Sequence, residues 1–346
     1  MRISSTLRPA LVAGLLILLV SCGARPAPEL YLEFTGETMG TSYIVRVSSP
    51  EALALDAAER EELAKAIQAE VDLVNEKMST WRPDSELSRF NQHEGTEPFP
   101  VSPETLHVLA AAQRVSRESD GAFDITVGPL VNAWGFGPQA VTQPLSDERI
   151  AELKQKVGFE RLHVDEETGT VRKEIPEIYC DLSAIAKGYG TDRIADMLDA
   201  RGYDYMAEVG GEIRTRGVNH RGEPWRIGII NPNEKGQPVS GVVPLHDTAM
   251  ATSGDYRNIR FDADGKPYSH TIDPRTGRPA AHGLASATII HPSAMMADAY
   301  ATVLMVLGPE EGYDWAVEMG LPVHLIHHDG DAFASRSTPA FEALYR

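Results

Sequence analysis

The sequence predicts an α+β fold, and three observations carry that reading. Apolar residues recur at helical spacing through long segments such as 55–78 and 293–307. Short alternating runs flank glycine turns at 31–49 and 160–174. The two kinds of segment follow one another in mixed order rather than in strict strand–helix alternation.

Taken along the chain, residues 1–21 are not part of that fold. Arg2 and Arg8 precede an apolar run from Ala10 to Val20, shorter than the ~20 residues a spanning helix needs, so the segment reads as a secretory signal peptide. "LVSC" ends it, and this resembles the lipobox of bacterial lipoproteins, in which Cys22 is lipidated and becomes the mature N-terminus. Residues 22–30 then form a lipidated tether and 31–346 the folded unit, held at a membrane by lipid.

Within that unit, 31–49 reads as two strands around a glycine turn. Leu63, Ile67, Val71 and Val74 mark one helix over 55–78, and Ser102-Pro103 starts another that runs to about 116, with Ser102 as N-cap. Residues 160–174 form a hairpin, 177–202 a strand, turn and helix closed by glycine, and 203–217 and 224–232 further strands. The late helix over 293–307 stops at Gly308-Pro309.

Composition narrows the function. Thirty-two Lys and Arg stand against 50 Asp and Glu, and cleavage after residue 21 takes the formal charge from −18 to −20, which argues against a nucleic-acid partner. With 42% hydrophobic residues the chain can bury a large core. Cys22 and Cys180 are its two cysteines; if Cys22 carries lipid, Cys180 has no partner, and stability comes from the core alone.

The chemistry-bearing residues read ambiguously one at a time. Asp298 and Thr302 share a helix face and offer hard oxygens suited to Mg²⁺, yet the pair alone reads first as a helix acid and a threonine bonded back to its helix. Asp181 and Ser183 stand at a strand-to-helix transition that favours an anion, with Lys187 one turn in; the plainer reading is a cap and a surface lysine. The chain has no P-loop, and "KGYG" sits inside a helix rather than opening one, so it is no Rossmann fingerprint. "GAFDITVGPLVNAWGFGP" and "EVGGEIRTRG" combine glycines and aromatics that suit either a flat ligand or turns and core. Ser253 lacks the G-x-S-x-G context of a hydrolase, and His324, His327 and His328 read as a strand entering a turn more readily than as a metal site.

Together the segments decide. "ETMGTSY", "MSTWRPDSELSRFN", "GAFDITVGPLVNAWGFGP", "DLSAIAKGYGTD", "EVGGEIRTRG", "WRIGIINP", "ATSGDYR", "YSHTIDPRTGRP" and "ADAYATVLMVLG" occur in order, and this set resembles the ApbE family of flavin transferases from about Glu37 to Gly308. The resemblance implies a single two-lobed α+β unit with FAD in the cleft, and Mg²⁺-dependent transfer of FMN from FAD to a Thr or Ser hydroxyl of a flavoprotein acceptor. It further implies a lipoprotein on the periplasmic face of a membrane.

The resemblance also implies residue roles. Met39, Trp81, Ala122, Phe123, Asp124, Asp181, Lys187 and Ile272 fall where the family contacts FAD. Asp298 and Thr302 match its metal ligands, joined by the carbonyls of Ala184 and Ala301. Trp81 replaces a tyrosine, and Lys187 a glutamate, of some members. His270 is expected beside the diphosphate, as general base for the acceptor hydroxyl or as a charge donor; the alternative is a structural loop histidine. Two other activities fit the same residues: a metal-dependent FAD pyrophosphatase and a non-catalytic flavin-binding lipoprotein.

Overall fold

A computed structural model describes residues 30–138, 145–232, 239–255, 259–261, 267–330 and 332–344. Cys22, the signal segment and nearly all of the tether lie outside them. The centre is an eight-stranded sheet: β1 (Leu32–Thr38), β2 (Thr41–Val47), β3 (Tyr205–Val209), β4 (Glu212–Arg216), β5 (Ala249–Gly254), β6 (Leu284–His291), β7 (Val323–Asp329) and β8 (Ala332–Ser337). Every neighbouring pair is antiparallel, and the strands lie side by side in chain order. The β1–β2 register closes on Thr38 opposite Thr41. Met39 and Gly40 both take positive φ, 48° and 71°, in the two-residue loop between them, the backbone that suits a right-twisted hairpin.

Four long helices pack over this centre, α1 (Ala57–Met78), α2 (Pro103–Glu118), α3 (Ala186–Asp199) and α4 (Ala294–Leu307); α1, α3 and α4 touch the sheet, and α2 rests on α1 and α4. The start of α1 falls at 57 rather than 55 because Asp56 makes a capping box with Glu59, each side chain accepting from the other's backbone N–H at 2.9 Å. Its buried residues are Leu63, Ile67, Val71, Val74 and Met78, the spacing seen in the sequence. At α2 the cap is different from expectation. Ser102 occupies the N-cap position, but its hydroxyl donates to Glu86 Oε2 at 2.6 Å and accepts from no backbone N–H of its own helix.

Period-2 alternation divides the sheet's faces. Tyr205, Ala207 and Val209 of β3 pack with Ile67, Val71 and Ile194 beneath the helices. Met206 points the other way, with Ile213, Met250 and Ile290, against the hairpin Trp225–Ile230/Val239–Leu245. The predicted hairpin at 160–174 appears as Leu162–Asp165 paired with Thr170–Lys173, extended to three strands by Phe99–Pro100. Two excursions from the sheet reach the functional pocket, 48–204 between β2 and β3, which carries α3, and 255–283 between β5 and β6. There they meet α4.

Candidate active site

A pocket of about 570 Å³ opens where the two excursions converge. The glycine-rich segment contributes Ala122, Phe123, Asp124 and Phe136; the turn into α3 contributes Asp181, Ala184 and Lys187. His270, Thr271, Ile272 and Pro274 come from the second excursion, and Asp298 and Thr302 from α4. Trp81 also lines the pocket and is 67% exposed, which places it at the mouth.

Asp298 and Thr302 reach the pocket because of how α4 is buried. Every residue of that helix is buried except Thr302. Asp298 is 1% exposed, a cost that its partners offset. Its carboxylate accepts from the Gly188 N–H at 3.0 Å and from Lys187 Nζ at 3.2 and 3.3 Å. Lys187 lies 3.5 Å from Glu212 Oε1 as well. Burial alone would lower the Lys187 ammonium, but these two carboxylates outweigh it and hold its pKa above the usual lysine value. The surface-lysine reading is therefore wrong, and the amide of Gly188 at the start of α3 serves a protein carboxylate.

The crossing of α3 and α4 depends on a glycine. A Cβ on Gly188 would stand 2.3 Å from the Ala294 carbonyl oxygen, so the two backbones approach as closely as they do only without a side chain there. Four residues further along α3, Asp192 caps α4 from outside. Its carboxylate accepts from Ser293 Oγ at 2.7 Å and from the N–H groups of Ala294 and Met295 at 2.9 and 3.0 Å, while Arg214 donates to it at 3.0 Å. The N-terminal amides of α4 are thereby satisfied and its phase relative to α3 is set.

Asp124 is held from the opposite wall. It accepts from the Thr126 N–H and hydroxyl, both at 2.7 Å, and from the Phe159 N–H at 2.9 Å. Burial nevertheless pushes its pKa up to about 6, against the pull of those donors. Asp181 accepts from the Ser183 N–H at 2.9 Å. Just before it, the Asn91 side chain brackets Cys180, donating to its carbonyl and accepting its N–H, each at 2.8 Å. Cys180 is a buried free thiol whose pKa burial raises far above the ordinary range, so it is chemically quiet.

The stretch 269–280 docks on the aromatic segment 134–136. Tyr268 packs edge-on against Trp134 and Phe136, Trp134 Nε1 donates to the Gly277 carbonyl at 2.9 Å, and His270 meets Phe136 edge-on at 6.2 Å. Asp273 opens the expected turn and Gly277, at φ 77°, closes it through a 2.8 Å bond to the Asp273 carbonyl. The two arginines of this stretch are engaged elsewhere: Arg275 pairs with Asp273 and Glu311 at 3.1 Å each, and Arg278 with Asp147.

Eleven of the expected site residues thus line one pocket: Trp81, Ala122, Phe123, Asp124, Asp181, Ala184, Lys187, His270, Ile272, Asp298 and Thr302. Met39 and Ala301 are not on its lining. Met39 packs at the β1–β2 turn near Gly190, and Ala301 is wholly buried in α4. Sequence reasoning did not single out Glu212, Thr271, Phe136 or Arg260. The first three lie inside quoted motifs; Arg260 lies outside all of them. Among the described residues no three His, Cys, Asp or Glu side chains converge to hold a metal, and His324, His327 and His328 are spaced along β7.

Known proteins are similar to this chain. The ApbE family profile matches residues 39–325. A Vibrio cholerae FAD:protein FMN transferase is 44% identical over 333 residues, covering 94% of this chain and 96% of its own. The Escherichia coli K12 protein of the same name is 41% identical over 353 residues, 99% and 98% of the two chains.

The chain belongs to the ApbE family.

Solved ApbE structures agree in three dimensions. The V. cholerae flavin transferase ApbE superposes with a TM-score of 0.82 at 42% identity, covering 90% of this chain and 98% of that one. The apo form of Pseudomonas stutzeri flavinyl transferase ApbE gives 0.82 at 36% identity, over 91% and 96%. The metal set expected of an ApbE protein can be tested on the side chains themselves. One carboxylate, one hydroxyl and nearby carbonyl oxygens are a hard-oxygen set that suits Mg²⁺. The ammonium of Lys187 lies against both Asp298 oxygens, so the site already stabilises positive charge.

Proposed function

We propose that this ApbE chain is an Mg²⁺-dependent FAD:protein FMN transferase that works as an exported lipoprotein. The observation that carries the reading is the single pocket in which Asp298, Thr302 and His270 converge, with Trp81 at the mouth, in a chain whose relatives bear that name. In the reaction, a Thr or Ser oxygen of the acceptor bonds to the phosphorus on the riboflavin side of FAD. The bond from that phosphorus to AMP breaks, and AMP leaves with the electron pair. His270 takes the hydroxyl proton as the new bond forms. Trp81, Phe123 and Ile272 supply apolar contacts for the flavin, and Asp181 and Asp124 polar ones.

Asp298 and Thr302, with the carbonyls of Ala184 and Ala301, would hold Mg²⁺, which when bound neutralises charge on the diphosphate. Lys187 and the Gly188 amide keep the Asp298 carboxylate in one orientation. Export and anchoring rest on the apolar run and on Cys22 in "LVSC".

The test is to incubate protein, FAD and Mg²⁺ with and without a candidate acceptor, measuring AMP and the mass of the acceptor. AMP release that requires the acceptor, with FMN added to its mass, is the expected result. Equal AMP release without acceptor would make the protein a pyrophosphatase, and intact FAD in every arm a flavin binder. Asp298→Ala should abolish AMP release and Asp298→Glu should retain a small fraction, because Mg²⁺ tolerates little departure from octahedral geometry. Full activity of the alanine variant would overturn the metal assignment.

A further inference from the structure

One charged side chain reaches the pocket from outside every recognised motif. Arg260 lies on the short strand Ile259–Phe261, paired with Pro267–Ser269, and lines the pocket together with His270 and Asp298. Its guanidinium carbon sits 5.4 Å over the Phe136 ring. A Cβ on Gly135 would stand 2.9 Å from its Nη1, so the glycine leaves the cation its berth. A cation held over an aromatic face, beside a backbone with no side chain, is restrained before any ligand arrives.

Charge decides what it is for. Three carboxylates line the pocket, those of Asp124, Asp181 and Asp298, and Lys187 is committed to Asp298 and Glu212. Arg275 and Arg278 are paired with acids. Arg260 makes no ion pair with a carboxylate among the described residues, and it faces the same space as His270. A planar guanidinium offers forked donors matched to phosphate oxygens, which a lysine cannot reproduce.

We propose that Arg260 is a phosphate-binding residue that grips the diphosphate of the flavin nucleotide. The proposal rests on reading this pocket as the FAD site, and it adds a contact that the motifs do not contain. It predicts that nucleotide and bare flavin are told apart at this position, because riboflavin has no phosphate to meet the guanidinium.

Equilibrium titration by flavin fluorescence, at fixed Mg²⁺, tests it with two probes, FAD and riboflavin, on the full protein and on Arg260→Ala, Arg260→Gln and Arg260→Lys. The alanine and glutamine variants should weaken FAD binding about tenfold and leave riboflavin binding within about twofold. Added salt should weaken FAD binding less in these variants than in the parent protein, and lysine should recover part of the loss. Arg260 is exposed, and the glutamine variant keeps most of the stem, so an unchanged melting temperature identifies folded protein. Equal losses for both probes would show that Arg260 only supports the wall at Phe136, and overturn the proposal. Unchanged FAD affinity with a raised KM for the acceptor would assign Arg260 to the acceptor and overturn it equally. If the parent protein binds neither probe, the reading of the pocket as an FAD site fails first and the Arg260 proposal falls with it.

Discussion

Asp124 is buried and Lys187 half-buried in the walls of one pocket, with opposite consequences because their partners differ. Lys187 has two carboxylates and keeps its charge; Asp124 has only neutral donors, and burial raises it to about 6. Between about pH 4 and 6 the folded protein therefore holds a proton that the unfolded chain has released. The stabilisation from this group is largest below pH 4, declines as pH rises to 6 and is flat above, a change of up to about 3 kcal/mol. Asp124→Asn removes that slope, so urea denaturation should find the variant gaining on the parent protein between pH 4 and pH 7. A constant difference between the two curves would show that Asp124 titrates normally. At His270 the expectation is kinetic. A base acting on the acceptor hydroxyl matters in the transition state, so His270→Ala should lower turnover by about 10²–10⁴-fold and leave FAD affinity within a few-fold. Unchanged turnover would return it to a structural role.

The α3–α4 pair is the element on which the site depends. Lys187 and Gly188 reach Asp298 only because the helices cross at a glycine, and Asp192 holds the N-terminus of α4 in place one and a half turns along α3. Gly188→Ala puts a methyl against backbone that cannot move aside cheaply. We expect a loss of about 1–3 kcal/mol in stability, together with a higher Mg²⁺ concentration for half-maximal activity, as the shifted backbone draws the residue-188 amide away from Asp298. Gly190→Ala, two residues on and on the opposite side of α3, meets only the terminal methyl of Met39 and should cost less. Denaturation of both variants compares them directly, and an equally small effect at Gly188 would mean that the crossing is more pliable than its geometry implies.

At the scale of the whole molecule, an antiparallel sheet with strands in chain order is the frame, and two insertions build the pocket over it. The proposed lipid anchor at Cys22 lies outside the motif-bearing region and should be separable from this frame. Cys22→Ser should release an exported protein into the soluble fraction with its FAD chemistry intact. Retention on membranes after a high-salt wash would show that something other than lipid holds it.

What could be read from the sequence alone was local or periodic. The helix face of Leu63, Ile67, Val71 and Val74, the β1–β2 hairpin, the 160–174 hairpin and the glycine stop at 308 are all set by neighbours within a few residues. The ordered motifs, and through them the family and most of the pocket residues, were legible for the same reason. Taken by itself, Lys187 reads as a surface lysine because its partners, Asp298 and Glu212, lie 111 and 25 positions away along the chain. Ser102 takes the N-cap position read from the sequence, but nothing local announces that its hydroxyl is engaged by Glu86, 16 positions away. Arg260 carries no motif at all; only the docking of its strand on Phe136 and Gly135 turns it toward the pocket. Burial and charge pairing are properties of space, and the tertiary structure alone decides which distant carboxylate, ring or amide a side chain meets.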